Sequence, residues 1–126
     1  MTLPFFLDTS VLVAYFAEND SQHEKAVREL QKTGKEETMV SDYVLDEFLT
    51  VLFSKTKSKP DCEKAYKELT GNTQALIVAK EAFNAAEALF FQGNRLSFTD
   101  CTTLYFCKKH GFKLVTFDGE LSKLST

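Results

Sequence analysis

The chain is short of cysteine, of histidine and of long hydrophobic runs, and each shortage closes off a class of protein. Its three cysteines, Cys62, Cys101 and Cys107, are odd in number and form no C-x-x-C pair. A disulfide framework needs paired thiols, so free thiols in a reducing cytoplasm are the expected state. The only histidines, His23 and His110, do not stand with cysteines at the spacing of a structural zinc site. No apolar run approaches the roughly 20 residues that a membrane-spanning helix needs, so no membrane association is expected. A basic stretch followed by a long apolar one is missing from the N-terminus, which argues against a secretory leader. Excess positive charge is missing too: 15 Lys and Arg face 18 Asp and Glu, a net charge of −3. A protein that coats nucleic acid by charge alone would be basic. An enzyme acting on nucleic acid is not excluded, because acids gathered in one cleft can hold cations that reverse the local sign.

What is present suits one soluble globular domain spanning residues 1–126. Apolar residues make up 44% and charged residues 26%, ordinary proportions for such a domain. A chain of 126 residues can bury a core without metal or disulfide staples. No internal repeat or low-complexity block interrupts it.

Apolar periodicity and turn residues divide the chain into alternating strands and helices. Phe5 to Leu7 reads as a short buried strand with Asp8 at its C-terminal end, and Ser10 to Ala17 as an apolar helical segment. Asn19, Asp20 and Ser21 offer N-cap chemistry before an amphipathic helix from Gln22 to Lys32, which Gly34 ends. Thr38 to Val40 is a second strand. Ser41 or Asp42 caps the next helix, whose apolar side carries Val44, Leu45, Phe48, Leu49 and Leu52. Ser54 to Lys59 is polar and basic. Pro60 suits the first turn of a helix reaching about Thr70, with Gly71 and Asn72 as punctuation. Ala75 to Val78 is a third strand, followed by a helix through Phe91. After a turn at Gln92 to Arg95, Ser97-Phe98-Thr99-Asp100 has the form of a capping box and opens a helix ending at His110-Gly111. Lys113 to Phe117 is a fourth strand ending on Asp118, and a last short helix runs from Glu120 to Leu124.

This alternation predicts an α/β fold, a three-layer α/β/α sandwich around a central parallel sheet of four to five strands. In such sheets ligands bind beyond the carboxyl ends of the strands. Asp8 and Asp118 lie at such ends, Asp100 opens a helix, and Glu47 lies inside one. Each has an ordinary structural alternative. Asp8 could be a helix cap, Asp100 a partner of the helix dipole and Asp118 a turn former before Gly119. Glu47 and Asp46 flank the apolar arc of their helix on opposite sides, and periodicity does not choose between them. Strand alternation would aim Thr116 and Asp118 to one side. Considered together, four acids at one sheet edge suit a hard divalent cation. Clustered carboxylates repel one another, and Mg²⁺ or Mn²⁺ takes oxygen ligands and removes that repulsion. Such a site suits phosphoryl chemistry.

Four stretches, in this order, resemble the PIN-domain ribonucleases and most closely the VapC-type toxins of prokaryotic toxin–antitoxin pairs. They are F-L-D-T-S-V-L-V-A-Y-F, S-D-Y-V-L-D-E-F-L-T-V-L, R-L-S-F-T-D-C and H-G-F-K-L-V-T-F-D, and together they span Phe5 to Asp118. The resemblance implies a metal-dependent endoribonuclease using Mg²⁺ or Mn²⁺, with Asp8, Glu47, Asp100 and Asp118 as its acidic quartet. It selects Glu47 over Asp46. It implies Asp8 and Asp100 as principal metal ligands, completed by Asp118 and Glu47, with Ser10 and Thr116 as polar helpers and a metal-activated water as the attacking group. It also implies an RNA substrate, a cognate antitoxin protein that occupies the groove, and a homodimer, for which Val11, Val13, Tyr15 and Phe16 are available. Lys55, Lys57, Lys59 and Arg95 are candidate phosphate contacts. Two positions depart from the family pattern: Cys101 stands where Ala is usual, and Leu121 near a place often held by Phe. Neither belongs to the quartet.

Two other classes compete with this reading. A non-catalytic PIN module binding RNA or protein would typically have lost members of the quartet, and all four are present. A receiver or a haloacid-dehalogenase-type phosphatase also places an Asp at a strand end. The phosphatase needs a second Asp where Ser10 stands, and the receiver needs an acidic pair that Asp8-Thr9 does not supply.

Overall fold

The computed structural model describes residues 4–34 and 37–126. Its elements are β1 (Phe5–Leu7), α1 (Thr9–Phe16), α2 (His23–Gln31), β2 (Thr38–Ser41), α3 (Asp42–Thr56), α4 (Lys59–Asn72), β3 (Gln74–Leu76), α5 (Lys80–Phe90), α6 (Phe98–His110), β4 (Lys113–Val115) and α7 (Gly119–Leu124). The four strands form one parallel sheet in the order β3-β2-β1-β4, flanked by helices as the α/β/α expectation requires. None of the described helices is long and apolar enough to cross a membrane.

The strand order explains the burial. β1 pairs with β2 on one side and β4 on the other, so Phe6 and Leu7 are buried. A strand covered on both edges and both faces must be apolar throughout. The edge strand β3 leaves Gln74 and Ala75 exposed. The main core gathers Phe6, Leu12, Val40, Val44, Phe48 and Leu52. A smaller cluster of Ala86, Leu96, Cys101, Leu104 and Leu121 lies among α5, α6 and α7 and anchors the first turns of α6. All three cysteines are free and buried.

Three elements end two residues away from the sequence expectation, and the other boundaries shift by one residue at most. α4 continues through Gly71 to Asn72, because Gly71 does not take the positive φ found at Gly34 and Gly111. β3 covers Gln74–Leu76 and leaves Ile77 and Val78 outside it. There the Val78 amide donates to Asp42 Oδ1 at 2.9 Å, a side-chain bond in place of a ladder bond. β4 stops at Val115, before Phe117. Beyond it the amides of Phe117 and Asp118 donate to the hydroxyls of Ser10 and Thr116, so strand alternation does not govern Thr116 and Asp118. By contrast, the Ser97 cap and the stops at Gly34 and Gly111, both at positive φ, fall where the turn chemistry put them.

The chain leaves β1 towards β2 on one side, while β4 adds on the other. That reversal is a topological switch point, where the carboxyl ends of neighbouring strands open a crevice.

Candidate functional site

The switch point delivers Asp8 directly. Its amide donates to Val115 O at 3.0 Å, which ties the end of β1 to the end of β4. Asp8 occupies the N-cap position of α1, with extended backbone, but makes no side-chain capping bond. Its carboxylate is instead held by two hydroxyls, one from the first turn of α1 and one from beyond β4. Ser10 Oγ donates to Asp8 Oδ2 at 2.9 Å and Thr116 Oγ1 donates to the same oxygen at 2.7 Å. The two hydroxyls are fixed in turn, accepting from the amides of Phe117 and Asp118, each at 3.0 Å. Asp8 is 3% exposed, and its Oδ1 has no hydrogen-bond partner. A buried, unpartnered carboxylate oxygen is costly unless something binds it.

Asp118 caps α7 through Oδ1, which accepts from the Leu121 amide at 3.0 Å. Asp100 closes a capping box: its amide donates to Ser97 Oγ at 3.1 Å, and its Oδ2 accepts from the Ser97 amide at 3.2 Å. The Asp100 carboxyl is pushed up to about 6. Burial is the main cause, followed by the charge of Asp8; the bonds to Ser97 pull the other way, and Glu47 adds a smaller upward push.

Glu47 is half-buried and Asp46 exposed, so packing selects the residue that the helical wheel left open.

Asp8, Ser10, Glu47, Asp100 and Asp118 line one cleft of about 430 Å³, together with Thr9, Val13, Asp20, Val51, Lys55 and Ser97. Thr116 reaches it through its bond to Asp8. Asp20 is the acid that sequence reasoning missed. Its place between Asn19 and Ser21 marks it as loop-capping chemistry, and it does accept from the Gln22 amide at 2.8 Å. That bond, ahead of the pull of Lys55, holds its carboxyl below the usual carboxylate range. Lys55 pairs with Asp20 at 3.4 Å. No local signal places Asp20 in the cleft, because the contact is made by a helix far along the chain. Of the candidate phosphate contacts, only Lys55 lines the cleft. Lys57 is exposed at the left-handed C-terminus of α3, Arg95 is exposed before α6, and Lys59 lies over the Phe53 ring at 4.2 Å.

Among the described residues, no three acidic, histidine or cysteine side chains stand close enough to form a ready-made metal cage. The donors nevertheless fit a hard divalent cation. They are all oxygens, one is buried without a partner, and their mutual repulsion already shows in Asp100. Mg²⁺ commonly keeps several waters and takes only one or two carboxylates directly, which suits acids that line a cleft without touching. Cys107, by contrast, is pushed up to about 12 by burial and then by Asp8, so it stays a neutral thiol beside the site.

The PIN-domain family model matches residues 5–126. Among solved structures, the fold is similar to VapC20 of Mycobacterium tuberculosis, a toxin that cleaves the sarcin–ricin loop. The TM-score is 0.84 at 25% identity, covering 94% of this chain and 93% of that one. It is also similar to PAE2754 of Pyrobaculum aerophilum, with a TM-score of 0.63 at 19% identity over 98% of this chain and 87% of that one, a likeness of fold alone. No curated protein matches by sequence.

Proposed function

The chain belongs to the PIN-domain family, and from that premise we propose that it is a metal-dependent endoribonuclease, the toxin of a VapBC-type pair. The observation that carries the reading is Asp8: a buried carboxylate at a helix start that caps nothing and keeps one oxygen free in a cleft lined by Glu47, Asp100 and Asp118. The likeness to a toxin that cleaves the sarcin–ricin loop supports the substrate class.

In this reading Asp8 and Asp100 are the principal ligands of Mg²⁺ or Mn²⁺, with Asp118 and Glu47 completing the site. When bound, the cation supplies a Lewis acid that acidifies water and offsets charge at the scissile phosphate. The chain's own residues set the geometry. Ser10 and Thr116 hold Asp8 Oδ2, which leaves Oδ1 as the donor. Asp100 keeps its second oxygen available while Oδ2 serves the cap. Asp118 does the same through its bond to Leu121. Burial of Asp8 strengthens each electrostatic contact by excluding water. Lys55 stands at the cleft as the phosphate contact.

By family, the partner is an antitoxin that places a basic side chain among the acids. Val11 and Val13 are buried inside the chain, and Tyr15 and Phe16 are half-buried against each other and Phe48. The homodimer therefore rests on family likeness, and sedimentation tests it.

The test of the enzyme is cleavage of a pool of structured RNAs with Mg²⁺, with Mn²⁺ and with EDTA, beside Asp100→Asn. Metal-dependent cuts that vanish in the variant are expected. No cutting of any RNA together with no metal binding by calorimetry would turn the reading towards a non-catalytic PIN module.

A further inference from the structure

Among the described residues, three buried side-chain oxygens have no hydrogen-bond partner: Asp8 Oδ1, Thr9 Oγ1 and Thr103 Oγ1. Two of them belong to consecutive residues that line the acidic cleft. Thr103 is not among the residues lining it. Thr9 is 6% exposed, and the chemistry proposed for the acids does not use its hydroxyl.

The ordinary uses of a threonine hydroxyl in a helix do not apply at Thr9. Such a hydroxyl caps the helix or bonds back to a carbonyl in the preceding turn. Thr33, Thr50, Thr70, Thr73 and Thr102 each donate to a backbone carbonyl three or four residues earlier. Thr9 is the first residue of α1, and the residues three and four before it belong to β1, so no turn of helix precedes it. The next hydroxyl along, that of Ser10, is fully committed: it donates to Asp8 Oδ2 and accepts from the Phe117 amide. Burying a hydroxyl without a partner costs free energy. Valine has nearly the same shape and would fill the place without that cost. A hydroxyl kept there is explained by a ligand that enters the cleft.

The lining says what kind of ligand. Five acids face the cleft, and its one lysine is already paired with Asp20. These walls are rich in acceptors and poor in free donors, so the ligand has to bring positive charge and donors of its own. A hydrated divalent cation brings both. Mg²⁺ keeps several of its waters when it binds, and groups behind the direct ligands orient what they hold and tune affinity. A hydroxyl accepts from a water without adding a charge, so Thr9 adds nothing to the repulsion among the carboxylates.

We infer that Thr9 is a positioning residue of the cleft, its hydroxyl accepting from the water shell of a divalent cation held by Asp8 Oδ1. The inference rests on the cation-binding part of the proposed function, and its test does not use cleavage. Binding of Mg²⁺ and of Mn²⁺ is measured by calorimetry, and the melting midpoint in EDTA by circular dichroism. Wild type is set beside Thr9→Val, Thr9→Ser and Asp8→Asn. Thr9→Val should bind either metal about tenfold more weakly, yet melt in EDTA at or above the wild-type midpoint, because the buried hydroxyl is gone. Thr9→Ser keeps the hydroxyl and should keep the affinity. Asp8→Asn should lose metal binding. A Thr9→Val midpoint below wild type in EDTA would show that the hydroxyl serves the fold, and would overturn the inference. Equal loss of affinity in Thr9→Ser would assign the effect to the methyl group and overturn it as well. If Asp8→Asn loses the metal while Thr9→Val binds like wild type, the inference falls and the cation site stands. A wild type that binds neither metal would remove both.

Discussion

The starts of α1 and α6 are built from the same material and used differently. Each places an aspartate in or next to the cap of a helix that opens at the cleft. At α6 the cap is complete: Ser97 and Asp100 satisfy each other's amides, and the Asp100 carboxylate serves both the helix and the cleft. At α1 the capping role is given up. Asp8 sits in the cap position but is turned towards Ser10 and Thr116. The helix does without a side-chain cap, and its buried residues Val11, Leu12, Val13 and Ala14 hold it in place. Tertiary packing supplies most of the stability of a short helix, so a cap can be forgone there and a carboxylate released for other work. The two ends should therefore answer differently to mutation.

The largest contrast lies in activity without loss of fold. Asp8→Asn should reduce RNA cleavage by roughly 10³-fold or more while circular dichroism and the thermal midpoint stay close to wild type. A collapse of the fold would mean that Asp8 is structural after all. Thr116→Ala comes next. It removes one of the two donors that orient Asp8, and cleavage should fall by about 10- to 100-fold, read as a weaker Mg²⁺ dependence that excess metal partly restores.

Asp100→Asn should separate the two roles of the α6 start. The wild-type carboxyl is raised to about 6, above its unfolded value, so the folded state holds its proton more tightly than the unfolded chain. Stability from this group is therefore present at low pH and is lost as pH rises from about 4 to about 6. Asparagine has no such loss, and its oxygen can still accept from the Ser97 amide. Without metal, the variant should melt about 3–6 °C higher than wild type at pH 7.5, and the gain should fade below about pH 4. Adding Mg²⁺ should raise the wild-type midpoint and narrow the difference. A variant that melts lower at every pH would show that the cap outweighs the charge.

The smallest effect is expected at the cap itself. Ser97→Ala should cost about 1 kcal/mol of stability, measured by urea unfolding, with a modest fall in cleavage that Ser97→Thr restores. No equivalent cost is expected from the Asp8 side chain, because α1 draws no cap from it.

Much of this was legible because it is local. The order of strands and helices, the Ser97–Asp100 box, and the stops at Gly34 and Gly111 depend on residues within one turn of each other. Interactions that close a turn leave their signature in neighbouring letters. The same locality explains the errors. Gly71 looks like a stop, but the helix runs through it to Asn72. The letters after Val115 look like strand, but the Phe117 amide is taken by Ser10 from the other end of the chain and the Asp118 amide by the nearby Thr116 hydroxyl.

By itself, then, the sequence determined the βα alternation, the helix starts and the positions that matched a family pattern, since each is written in short-range chemistry. Only the tertiary structure decided where the carboxylates sit and what holds them. It turned Asp8 from cap to cleft through a hydroxyl 108 residues away, gave a packing reason for Glu47 over Asp46, a choice that only the family pattern had made, and brought in Asp20 through Lys55. Those choices are made where distant segments meet in a partly dry crevice, and no periodicity along the chain records which segments will meet.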